Sequence, residues 1–346
     1  MSEKVLVSLI RAGEGSIDEA VNRAIDLVNG LSNLNGKKIV SIKPNLCGIK
    51  SSTSGQTTDP RIIEAIVKKL NSTLPNLRIF IVESNNSQAT ADQTFERLGY
   101  ADIAKRYSNV ECRNLSKDKV VKVNLNGEIF STLKVPETLL FTDYLINVAK
   151  LKTHMDYYYT GVLKNAYGFL LRRSARPAYH GFMKQALADL NIFYKPDLCL
   201  IDGVVGMEGP GPTDGYPKPM GVIIASKDPV AADTIGATVM GINPSKIRYL
   251  KYAEKKGIGT SKNIQVVGCK IEEVQTKFKF IPMKYYYLGR FALDIQHFSR
   301  RCLNLAKLLS MARSGLSMVG FSTVTKRLSY IELFRMIKNT AFKMEG

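Results

Sequence analysis

Two hydrophobic periods alternate along the chain. Val5 to Ile10 is an extended apolar run, and Ile17, Val21, Ala24, Ile25 and Val28 then recur at helical spacing. The same exchange repeats. Lys38 to Leu46 reads as a strand. Ile62, Ile63, Ile66, Val67 and Leu70 mark a helix opened by Asp59-Pro60, and Arg78 to Val82 is a strand ending at Glu83-Ser84. Gln93 to Arg106 reads as one helix. Val120–Leu125 and Ile129–Val135 flank Asn126-Gly127, a hairpin signal. An apolar run through Leu145, Ile146 and Val148 follows, then a helix near Tyr179–Ile192. Strands at Leu198–Ile201 and Val222–Ala225, helices from Pro229 and Asn243-Pro244, and a strand at Ile264–Val267 complete the series. This order predicts an α/β fold with a mainly parallel, doubly wound sheet and helices on both faces.

Polar residues gather where these strands end. Lys43 and Asn45 close one strand, Glu83 and Asn85 another, and Lys150, Lys152, Thr153 and His154 a third. In a parallel sheet those ends share one edge, where ligands bind. Thr160, Lys164 and Asn165 follow closely. Lys43, Lys150 and Lys164 read as a clamp for phosphate or carboxylate, because clustered ammonium groups repel until an anion joins them. Asn45, Thr58, Thr160 and Asn165 are the neutral candidates for substrate binding. Thr58 and Asp59 serve equally well as a helix cap.

A second cluster spans residues 199–233. Glycines and prolines between Gly203 and Pro219 predict a long but rigid loop that carries Glu208 and Asp214. Asp228 before Pro229 suits a helix N-cap as well as a metal ligand. His154, one of three histidines, has an unperturbed pKa of ~6.5 and suits proton transfer. With Lys152 and Glu208 it forms the candidate catalytic set. Glu208, Asp214 and Asp228 are candidate ligands of a divalent metal, with Asp202 a further hard oxygen donor.

Four segments resemble the domain-of-unknown-function family numbered 362. They are Lys43-Pro44-Asn45-Leu46, Thr57-Thr58-Asp59-Pro60, the KxKTH and TGxLKNxxG patterns of Lys150–Gly168, and Met207–Pro212 with Ala225–Asp233. The resemblance covers roughly residues 5–270 and implies a fold and a site rather than a reaction. Many members also carry a ferredoxin-like cluster with CxxCxxC spacing. That spacing is absent here, so no iron–sulfur cluster is expected. The layout is also similar to lactate racemases, whose lysine- and histidine-lined site lies between α/β halves. The similarity does not extend to their nickel cofactor.

Composition narrows the classes further. The chain has 346 residues, 45% hydrophobic, and no apolar run near the roughly 20 residues of a membrane span. MSEKVLVSLIRAG lacks the charged and apolar regions of a signal peptide, so none is expected. Five scattered cysteines argue for a reducing compartment, and a cytoplasmic location is expected. There is no GxGxxG after the first strand, no GxxxxGK[ST] and no GxSxG. Dinucleotide, P-loop and acyl-enzyme readings are therefore unsupported.

Charge sets the last fifth of the chain apart. The net charge is +19, and from Lys277 onward thirteen Lys/Arg face three acids. We read residues 1–276 as the α/β domain and 277–346 as a basic amphipathic helical extension. Arg290, Asp294, His297, Arg301, Asn304 and Lys307 form one polar stripe on a largely apolar helix, and Ile331, Phe334, Ile337 and Ala341 form the apolar face of a second. Such a tail suits packing on its own domain, a second copy in a homo-oligomer, or an anionic membrane surface; nucleic acid is a weaker fit. Two functions follow: an enzyme acting on a small anionic metabolite by proton transfer or metal-assisted chemistry, or a peripheral membrane or polyanion-binding protein.

Overall fold

Strand β2 (Ile39–Lys43) lies at the point where the chain reverses its direction of travel through the sheet. The computed structural model describes residues 4–13, 17–171 and 176–280. From β2 the chain passes through α2 (Pro60–Thr73) to β3 (Arg78–Glu83), and through α3 (Ala91–Arg97) and α4 (Tyr100–Arg106) to β4 (Val110–Asn114), with β2, β3 and β4 parallel. Helix α1 is Ile17–Leu27 and follows β1 (Val5–Arg11). A hairpin, β5 (Val120–Asn124) and β6 (Thr132–Pro136), and the short α5 (Glu137–Leu140) then lead to β7 (Tyr144–His154) on the other side of β2. Next come β8 (Tyr158–Thr160), α6 (Val162–Asn165), α7 (Met183–Phe193), β9 (Leu198–Glu208), β10 (Tyr216–Ser226), α8 (Pro229–Val239), α9 (Arg248–Lys255) and β11 (Ile264–Gly268).

The large sheet runs β11-β1-β10-β9-β7-β2-β3-β4, with β8 added to the end of β7. It is mainly parallel; β10 runs against both β1 and β9, and β8 against β7. Helices cover both faces. Tyr144, Ile146 and Val148 of β7 join Ile62, Ile66, Leu70, Phe95 and Ile103 in one core. The alternate positions of β7 turn to the opposite face, which carries α6. All eleven residues of β7 are buried, which explains its nearly unbroken apolar run.

Three local differences from the sequence pattern have clear causes. The predicted Gln93–Arg106 helix is two helices, because Gly99 adopts a left-handed conformation (φ 83°) between them. The hairpin pairs as expected but its loop is wider than Asn126-Gly127, because the Asp189 carboxylate on α7 accepts from the Glu128, Ile129 and Phe130 amides. The long glycine- and proline-rich loop is mostly hairpin: β9 and β10 pair as far as Glu208 and Tyr216, leaving only residues 209–215 as the turn.

Residues up to Phe278 form one compact unit. Thr276 and Phe278 donate to the Val239 and Met240 carbonyls, and Phe278 is buried. The helices expected beyond Phe280 lie outside the described residues. Among the described residues no helix is long and apolar enough to cross a membrane.

Candidate functional site

The strand order reverses between β2 and β7, and the carboxyl ends of these two strands open a crevice at that switch point. The crevice holds a pocket of about 120 Å³ lined by Lys43, Asn45, Cys47, Glu83, Asn86, Lys152, Thr160, Lys164, Asn165, Tyr167, Gly168 and Arg176 among others. Six of these were candidates from the sequence: Lys43, Asn45, Thr160, Lys164 and Asn165 for substrate binding, and Lys152 for catalysis.

Each lysine is held differently. Lys43 ends β2 beside β3, so Glu83 at the end of β3 pairs with it at 2.8 Å. Burial lowers the Lys43 pKa and nearby Arg176 adds to the effect, while Glu83 opposes both. Lys152 is fully buried and has no carboxylate partner among the described residues. Its ammonium donates to Asn45 Oδ1 (2.8 Å), the Gln56 carbonyl (2.9 Å) and Cys47 Sγ (3.2 Å). Burial lowers its pKa, and the Lys150 charge lowers it further. Lys164 lies over the Tyr157 and Tyr167 rings, 5.5 and 5.6 Å from their centroids. Its ammonium has no hydrogen bond or ion pair among the described residues. Desolvation, then repulsion from Lys152, brings its pKa down to about 8.

A fourth group is incomplete. Thr160 is opposite Lys152 in the β7–β8 ribbon, and its buried hydroxyl has no hydrogen-bond partner among the described residues. Leaving a buried hydroxyl unmatched costs about 1–3 kcal/mol. With Glu83 the one carboxylate among the lining residues above, the wall is strongly cationic. Thr160 and Lys164, which carry its unsatisfied donors, both line the pocket.

The loop that bears Thr160 and Lys164 is fixed from behind. Asp233 on α8 accepts from the Val162 and Leu163 amides at 2.6 and 3.0 Å, and burial raises its pKa to about 7. A Cβ on Gly161 would fall 2.0 Å from that carboxylate, and one on Gly168 2.7 Å from Lys43 Cε. Asn165 Nδ2 donates to Asn147 Oδ1 (2.7 Å), and its Oδ1 accepts from Asn45 (2.9 Å), which locks the loop to both strands.

Other predicted residues stand apart from the pocket lining. Lys150 is sealed behind it, paired at 2.7 Å with Asp202, its register neighbour on β9. Thr58 ties its loop to the sheet, accepting from the Asn45 amide and donating to the Val148 carbonyl. His154 is two residues beyond Lys152 on β7, about 6.6 Å further along at strand rise. Its ring lies 4.8 Å from that of Tyr157, tilted at 57°, and its Nδ1 accepts from the Asp156 amide. Glu208 pairs with Lys218 across the β9–β10 hairpin at 3.0 Å.

The three candidate metal ligands are not brought together. Asp228 follows β10, which runs against its neighbours, so it lies at the opposite edge of the sheet. There it caps α8, accepting from the Val230, Ala231 and Thr260 amides. Asp214 bonds the Thr213 hydroxyl at 3.0 Å. Among the described residues no group of three or more His, Cys, Asp or Glu side chains could hold a metal ion.

Sequence spacing did not single out Cys47, Asn86, Tyr167 or Arg176. Arg176 reaches the site through Ser84 Oγ (2.5 Å) and the Gly168 carbonyl (3.1 Å). Cys47 reads as a core residue in its apolar run but is half-buried in the pocket wall. Glu83 was legible as a polar strand end, and its pairing with Lys43 follows from the β2–β3 register.

Comparison with known proteins gives one curated relative, a thylakoid-associated protein of Synechocystis sp., 27% identical over 143 residues. The alignment spans 38% of this chain and 43% of that protein. Among solved structures, the lactate racemase apoprotein from Thermoanaerobacterium thermosaccharolyticum superposes with a TM-score of 0.41 at 11% identity, covering 69% of this chain and 57% of that one. Residues 40–238, which contain the whole cationic pocket, match the model for the domain of unknown function DUF362, and the chain belongs to that family.

Proposed function

We propose that this protein is an enzyme acting on a small carboxylate- or phosphate-bearing metabolite, with Lys164 as the amine that gives or takes a proton. The observation that carries this reading is the pairing of two unsatisfied donors, Lys164 Nζ and the Thr160 hydroxyl, with the carboxylate-free Lys152 around one small pocket. A small oxyanion would supply the missing acceptors. Buried ammonium groups without counter-charges are costly, so they are kept where a charged ligand completes them. Lys164 titrates near the pH at which it would work, which suits general acid–base catalysis. His154 and Glu208, outside the lining, have supporting rather than chemical roles in this reading.

The pH dependence is the test. Below about 8 Lys164 is ammonium, and above it the charge is lost, whereas an ordinary lysine keeps its charge past pH 10. Calorimetric titration with inorganic phosphate should show affinity falling about tenfold between pH 7 and 9. Lys164→Met should weaken binding and abolish that midpoint. Absence of saturable binding by either phosphate or pyruvate at pH 7 would contradict the reading.

A second reading concerns the basic stretch after residue 277. The Synechocystis relative is described as thylakoid-associated, and basic amphipathic helices bind anionic lipid surfaces. On this reading the full chain pellets with phosphatidylglycerol vesicles at low salt and is released as salt rises, because screening shortens to about 8 Å at physiological ionic strength. A chain that stays in the supernatant at low salt excludes it.

A further inference from the structure

We infer that Lys164 forms an imine with the carbonyl carbon of a 2-oxo acid whose carboxylate accepts from the Thr160 hydroxyl beside the Lys152 charge. This deepens the anionic-metabolite reading and rests on it. Three features converge on a carbonyl substrate. An amine that attacks a carbonyl must be free of competing hydrogen bonds, and Lys164 Nζ has none among the described residues. It lies instead over the two tyrosine rings. The amine must also be neutral for part of the time at working pH. Burial and the neighbouring Lys152 cation provide that, as adjacent cations do for other imine-forming lysines. The carboxylate needs donors close to the amine. Lys152 and Thr160 are cross-strand partners that line the same pocket as Lys164; Thr160 lies four residues before it, and its hydroxyl has no hydrogen-bond partner among the described residues. The pocket volume of about 120 Å³ limits the substrate to a few heavy atoms.

The step balances without any external redox agent. The Nζ lone pair adds to the carbonyl carbon, and the oxygen takes up the displaced electron pair and a proton from the amine, giving a carbinolamine. Addition of one further proton expels that oxygen as water and leaves a protonated imine. The imine withdraws electrons from the adjoining carbon, so a proton there becomes acidic. With Lys164 occupied as the imine nitrogen, that proton passes to water, and the lysine acts in this step as the electron sink rather than as the base.

The test is reductive trapping. The full-length protein is incubated with pyruvate and sodium cyanoborohydride, digested, and mapped by mass spectrometry, with calorimetric titration of phosphate and pyruvate alongside. The expected result is one reduced pyruvyl adduct at Lys164, labelled roughly tenfold or more over any other lysine. Its yield should rise as pH passes through about 8, and excess phosphate should suppress it. Lys164→Arg should retain phosphate binding and lose the adduct. Pyruvate that binds as phosphate does, with no adduct at Lys164, overturns the imine and leaves the anion pocket standing. Failure of both anions to bind overturns both.

Discussion

Lys150→Met should destabilise the fold by about 3–5 kcal/mol, because it strands a buried carboxylate. Lys150 and Asp202 are both fully buried and 2.7 Å apart. The pair links β7 to β9 in the centre of the sheet. Without the ammonium, Asp202 keeps only the Asp59 and Val204 amides as donors, at 2.8 and 3.0 Å. At the size of this unit such a loss lowers the melting temperature by about 10 °C. Adding Asp202→Asn to the variant removes the stranded charge and should recover part of the loss. Thermal denaturation of the single and double variants checks this. A single variant within about 1 kcal/mol of the native chain would show that the pair carries little.

Lys152→Met, two residues away, should behave in the opposite sense. Its ammonium is equally buried but is met only by neutral acceptors, so the fold bears its desolvation without a compensating charge. Methionine fills a similar volume; of the three abandoned acceptors, Asn45 Oδ1 and the Cys47 sulfur belong to residues of the pocket wall, and the Gln56 carbonyl keeps the Cys47 thiol at 3.6 Å. The melting temperature should therefore hold or rise, while anion affinity falls about a hundredfold, the size expected when a buried charged partner is truncated. A stable variant with lost function would identify Lys152 as a group retained for a ligand rather than for the fold. Melting curves of the variant check the stability half; a drop as large as that of Lys150→Met would contradict it.

The contrast between these two lysines marks the limit of what the sequence discloses. The run through Leu145, Ile146 and Val148 announces a buried strand, and the KxKxH parity places Lys150, Lys152 and His154 on one side of it. The parity is silent about depth along the strand. Lys150 falls where β9 offers Asp202, Lys152 falls at the pocket, and His154 falls past its rim. Likewise Glu208 and Asp228 end and follow strands of the same hairpin, yet β10 runs backward and sends Asp228 to the far edge. Direction within a mixed sheet is a tertiary property that no local spacing carries. Lys43, Asn45, Thr160, Lys164 and Asn165 were legible because the switch point between β2 and β7 gathers the ends of just those segments. Cys47 and Arg176 were not, since each enters from a loop whose course depends on the folded sheet.

Side-by-side calorimetric titration of the native chain and Lys152→Met with inorganic phosphate at pH 7 tests the cationic pocket most directly. The native chain should bind saturably at one site, and the variant, still folded, should bind about a hundredfold more weakly. Equal binding by both chains would place the anion elsewhere and contradict the assignment of this pocket.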